Sequence, residues 1–146
     1  MEYKKIHLYG SDVEDYEVLS SLIQDAAIPT SEMKFDKVEK KFFLVCSRFS
    51  WESRLQNKDN KRVVSGICFD NVVEVKKKNF PSFNSVNILN FLTLRKVPGF
   101  IELIFSNNIL IKLVGNKISF RIDDLNKEWP TICLLYTSDA ADELRS

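Results

Sequence analysis

The chain has 146 residues, 21 Lys+Arg against 20 Asp+Glu, one His, and 45% hydrophobic residues that include 11 Phe. That length and apolar share suit one domain with a real core. So balanced a charge gives no general reason to expect nucleic acid or an anionic membrane as partner, and no stretch approaches the ~20 apolar residues of a spanning helix.

Lys5-Ile6-His7-Leu8-Tyr9 alternates polar and apolar, the pattern of a short strand. Ser11 and Glu14 have the spacing of a capping box. Tyr16, Leu19, Leu22, Ile23, Ala26 and Ala27 then recur at helical spacing, which predicts one helix over Asp12–Ala27, stopped by Pro29. From Met33 the period changes to two. Phe42-Phe43-Leu44-Val45-Cys46 is apolar on both faces and reads as a central strand. Ser53–Arg62 is polar and reads as a loop. Val63–Phe69 and Val72–Lys78 read as strands around Asp70-Asn71, followed by a polar connection to Ser85.

Val86–Lys96 reads as a strand and Pro98-Gly99 as a turn. Ile101, Leu103 and Phe105 make one stripe and Ile109, Ile111 and Leu113 the next, with Ser106-Asn107-Asn108 turning between them. Gly115-Asn116 has hairpin chemistry, and Ile118, Phe120 and Ile122 follow. Short turns imply antiparallel neighbours, so the last third is expected to form a four-stranded meander. The expected architecture is α+β: a single domain over residues 1–132 with seven or eight antiparallel strands, partly rolled, and one N-terminal helix, which with the earlier strands can cover the apolar face.

Catalytic signatures are sparse. Gly10, Gly66, Gly99 and Gly115 are scattered and form no phosphate loop. His7 alone cannot build a histidine metal site, and Cys46 and Cys68 lack metal spacing, so no metal and no cofactor are expected. Cys46 in an apolar strand reads as an inert buried thiol. Asp123 and Asp124 are adjacent in a strand and should point to opposite faces. Lys76-Lys77-Lys78 with Phe80 and Phe83 could bind RNA. The near-neutral whole argues against it, and lysines on an edge strand also discourage edge-to-edge pairing.

Two stretches concentrate aromatic and charged residues at strand ends. Ser47-Arg48-Phe49-Ser50-Trp51-Glu52 leaves the central strand, and Arg121 to Thr131, with Asp124 and Trp129, leaves the last. Arg48, Trp51, Glu52, Arg121, Asp124 and Trp129 are therefore the candidate binding residues. They admit two arrangements. In one they surround a pocket for an anionic or planar ligand; in the other Trp51 and Trp129 cap the open end of the roll while Arg48 pairs with Glu52 or Asp124.

At these stretches the chain resembles an alphaproteobacterial domain family of unknown function, numbered 2948. The matching residues are Gln24-Asp25-Ala26, Arg48-Phe49-x-Trp51-Glu52, Phe69-Asp70-Asn71-Val72, and Ile122 to Thr131 with its closing Trp129-Pro130-Thr131. Ser47 stands where the family pattern has Asn, and Asn126 where it has Gly; Asn tolerates the left-handed region best after Gly. The resemblance covers Ile6–Thr131 and implies no activity.

Residues Cys133–Glu143 resemble one reading frame through a transposase sequencing adapter. The expectation is a non-native tail over residues 133–146 on a truncated bacterial gene. Without Arg145, Asp139, Asp142 and Glu143 the net charge moves from +1 to +3, and the cysteines fall from three to Cys46 and Cys68. Those two thiols, and a start with no apolar leader, suggest a cytoplasmic protein. The function expected is a non-catalytic binding or scaffold module with an unknown protein or small-molecule partner. An enzyme or sensor with a pocket built by Arg48, Glu52, Asp124 and Trp129 is the alternative.

Overall fold

The structure, a computed structural model, describes residues 6–49, 62–81 and 87–125. Strand β1 (His7–Gly10) leads into helix α1 (Val13–Leu22). The acid that caps the helix lies one residue beyond the expected one: Asp15, not Glu14, accepts from the N–H groups of Ser11 and Asp12, at 3.0 and 3.3 Å. The helix also ends earlier than its apolar spacing suggests. Ile23 is its C-cap and Asp25 turns left-handed at φ 64°. Ala27–Pro29 is then strand β2. The apolar Ala26 and Ala27 continued the helical count, but their burial comes from the sheet. Tyr16, Leu19 and Ile23 are at most 1% exposed and fix α1 on the core.

Strands β3 (Lys34–Asp36), β4 (Lys41–Phe49), β5 (Arg62–Asp70) and β6 (Glu74–Lys78) follow. β7 (Ile88–Val97), β8 (Phe100–Phe105), β9 (Leu110–Val114) and β10 (Ser119–Asp124) complete, among the described residues, one open sheet of ten strands. Its order is β1-β10-β5-β4-β2-β7-β8-β9-β6, with β3 also on β4, and every pairing is antiparallel.

The sheet has two halves, joined by the short strand β2, which pairs β4 at Ala27–Ser47 and β7 over three residues. Their inward faces share one core with α1. Phe42, Leu44 and Cys46 of β4 and Ile67 and Phe69 of β5 meet Ile101, Leu103, Phe105, Ile111 and Leu113 of the other half. The expected four-stranded meander is three-stranded, β7-β8-β9. Glycine-asparagine chemistry at Gly115-Asn116 suggested a hairpin, yet β10 pairs β5 and β1 instead. The free side of β9 is taken by β6, through Glu74–Val114 to Lys78–Leu110. Residues 115–118 therefore carry the chain across to the other half, and the left-handed turn falls on Lys117 at φ 55°.

A second crossing, from β5 to β6, lies against the first. Asn71 donates its side-chain N–H to the Lys117 carbonyl at 3.0 Å, and the Val73 N–H donates to Val114 O at 2.8 Å. A Cβ on Gly115 would overlap the Asn71 carbonyl oxygen, so this approach of two backbones requires glycine.

Candidate functional site

Inward and outward residues alternate along each strand. Cys46 faces the core, so Arg48, two residues on, faces the same way at the end of β4. Across β5 the register sets Cys46 opposite Ser65 and Ser65 opposite Asp124. Arg48, Ser65 and Asp124 therefore meet where the apolar core runs out.

The geometry is that of a closed ion pair. Arg48 Nη2 lies 2.8 Å from Asp124 Oδ2, with both side chains at 0% exposure. Arg48 Nε donates toward Asp124 Oδ1 and Ser65 Oγ, each at 3.2 Å. Arg48 Nη1 donates to the Phe49 carbonyl at 3.0 Å. Ser65 Oγ donates to Asp124 Oδ1 at 2.5 Å, and the Ile6 N–H donates to Asp124 Oδ2 at 2.9 Å. Burial pushes the Asp124 carboxyl up to about 6, while the Ile6 N–H pulls the other way. Desolvating two ions can cost more than their attraction returns, which fits that direction.

Arg121 is placed elsewhere. It lies on the outward face opposite Cys68, 59% exposed, with Nε 3.2 Å from Asp123 Oδ2. The other oxygen of Asp123 meets His7 Nδ1 at 2.7 Å. Adjacent Asp123 and Asp124 thus serve opposite faces of the strand, one to solvent and one to the core. Trp51, Glu52 and Trp129 lie outside the described residues. Ser65 went unmarked in the sequence. Its signal was a lone hydroxyl in phase with the inward residues Ile67 and Phe69, opposite Cys46.

The other chemistry-bearing groups are quiet. Burial raises the Cys46 thiol to about 12 and the Cys68 thiol to about 11. The two sit on opposite faces of the sheet and are free. Burial also raises the Tyr16 hydroxyl, which donates to the Ile118 carbonyl at 2.8 Å. Among the described residues, no three His, Cys, Asp or Glu side chains are grouped to hold a metal. None of the described helices is long and apolar enough to cross a membrane. Lys76-Lys77-Lys78 lie on edge strand β6, with Lys77 over the Phe80 ring at 4.5 Å.

An α+β sheet whose buried Arg–Asp pair ties the ends of two strands, with no metal group among the described residues, defines the class: a small antiparallel domain with a clamped loop end. The chain belongs to the family described as "Protein of unknown function (DUF2948)", whose profile matches residues 6–134. Comparison with curated proteins and with solved structures gives no significant match.

Proposed function

We propose that this domain is a non-catalytic binding or scaffold module with a partner surface near Arg48–Glu52 and Arg121–Thr131. The supporting observation is the buried Arg48–Asp124 pair. It binds the exit of β4 to the exit of β10 across β5, two strand spacings or ~10 Å apart. Phe49 and Leu125, the last described residues before the stretches with Trp51 and Trp129, thus lie at one end of the sheet beside anchored points. Aromatic and arginine residues are enriched in interface hot spots, and of the two arginines in these stretches Arg121 is 59% exposed.

The enzyme reading needs Arg48 and Asp124 presented to a substrate. Both are fully buried and bonded to each other, which favours the binding module. The free thiols Cys46 and Cys68, on opposite faces, suit a reducing compartment such as a bacterial cytoplasm.

The test places a photo-crosslinking residue at position 51 and, as control, at exposed Asn116 on the far end of the sheet, in cells of the source type. The expected result is a discrete adduct from position 51 alone, lost when Trp129→Ala is added to a protein with an unchanged melting temperature. The same adducts from both positions, or none from either, would overturn the proposal.

A further inference from the structure

The opposite end of the sheet carries a groove that no part of the Arg48–Asp124 site reaches. Three connections meet there: β1 to α1 at Ser11-Asp12, β7 to β8 at Pro98-Gly99, and β9 to β10 at residues 115–118. Between them opens a volume of about 650 Å³. Its apolar lining comes from Val97, Phe100, Ile101 and Ile118, and its charged rim from Lys96, Lys117 and Asp12. Past Gly99 and Gly115 a smaller hollow of about 360 Å³ extends to Lys40. Next to the Phe100 ring, Lys112 Nζ lies 4.0 Å and Arg95 Cζ 5.7 Å from its centroid, with Glu102 between them in register and 3.5 Å from Arg95.

We propose that this groove binds a small amphipathic anion, an apolar body bearing one carboxylate, sulfonate or phosphate group. The inference is independent of the function proposed for the other end. Its size is that of a small-molecule site, which typically has an apolar lining and a few convergent polar groups. Ile101 and Ile118 are at most 2% exposed and belong to the shared core, so the floor is fixed by packing. The backbone around it is fixed too, by Gly115 N–H donating to Gly99 O at 3.0 Å.

Charge selects the sign of the ligand. Asp12 is the one acid among the described lining residues, and it lies at the α1 side of the rim. Lys96 and Lys117 enter from the β7 end and the crossing, with Lys40 beyond in the adjoining hollow. Lys96 shares the inward face with Ile101, its Nζ 5.7 Å from the centroid of the Tyr16 ring, so an anionic head between Lys96 and Lys117 sits on the α1 side and the apolar body reaches past Pro98 to the strand ends at Val97 and Phe100. A cationic ligand in the groove would face two lysines for one aspartate, and a second copy of this chain would bring the same lysines against themselves.

The test uses the full chain and two fluorescent probes with one skeleton. The first, 8-anilinonaphthalene-1-sulfonate, carries the anion; N-phenyl-1-naphthylamine lacks it. The sulfonate should bind saturably, one per chain, at least about tenfold more tightly than the neutral probe, the worth of one charge-assisted contact. Lys96→Ala with Lys117→Ala should remove most of that preference and leave the neutral probe unchanged. Backbone amide shifts on binding should cluster at Val97–Ile101 and at residues 115–118. Asn116→Trp, at an exposed turn position, should reduce binding of both probes. Equal affinity for the two probes, no effect of the lysine substitutions, shifts confined to other elements, or no binding of the sulfonate would each overturn the assignment.

Discussion

Among the described residues Arg48 is the largest fully buried side chain, and it is a cation. Its partner Asp124 is as completely withdrawn from water. Removing one member of such a pair leaves the other charge buried, whereas replacing both with apolar groups restores a packed interior. Arg48→Met alone should therefore cost about 3 kcal/mol or more in urea unfolding, and adding Asp124→Leu should recover most of the loss. A single-substitution cost under about 1 kcal/mol would show that the pair is not the clamp described.

The pH response follows from the raised carboxyl. The folded-state value, about 6, lies above the ordinary 3.8. The folded state therefore holds this proton more tightly than the unfolded chain does. The stability from that preference is fully present below 3.8 and is lost as pH rises through about 6. A carboxyl-carbon NMR titration should place Asp124 near 6, and higher still in Arg48→Met, where the opposing cation is gone. A midpoint below 3.8 would mean that the guanidinium outweighs burial.

At the scale of elements, period and turn chemistry carried far into the fold. Pro98-Gly99 turns as expected, with Gly99 at φ 94°, and Asn107 and Asn108 take the left-handed region between β8 and β9. The paired stripes of β8 and β9 emerge in register, Leu103 against Ile111. What local pattern could not give was partnership. Nothing in Gly115-Asn116 says whether the next strand folds back or crosses, because that depends on β6, which precedes β7 in the chain and already occupies the edge of β9. The inward phase of Arg48 and Asp124 was readable, but their meeting depends on β5 lying between them.

Edge strand β6 has its own consequence. Lys76 and Lys78 are exposed on a strand paired on one side only, among the described residues. Charged edges deter pairing between molecules. Lys76→Val with Lys78→Val should leave the melting temperature within a few degrees and raise the aggregated fraction in light scattering. An unchanged monomer fraction at high concentration would separate these lysines from solubility and leave them for ligand contact.

For the whole molecule, the two halves are one cooperative unit. They share one core, and the crossings at residues 71–73 and 115–118 bond to each other. The proposed partner surface and the proposed anion groove lie at opposite ends of this unit, so variants in one can be judged against the other. We further propose that residues 133–146 are no part of it, although the family profile extends to residue 134. A chain ending at Ile132 should show the same urea midpoint as the full chain, and the gene read directly from the organism should diverge after that codon. A loss above about 1 kcal/mol on truncation would return the tail to the domain.

Strand β10 closes the chain's described part, yet it is not at the margin of the sheet. It sits between β1 and β5, bonding Leu8 to Ile122 on one side and Ile67 to Ile122 on the other. A chain emerging from the ribosome therefore presents β5 with an empty slot and β1 with no described neighbour until residues 119–124 have been made. Pairings of that sequence separation close slowly and leave apolar edges open meanwhile. For this domain, the pairing of β1 and of one flank of β5 waits on residues 119–124, however early those two strands are made.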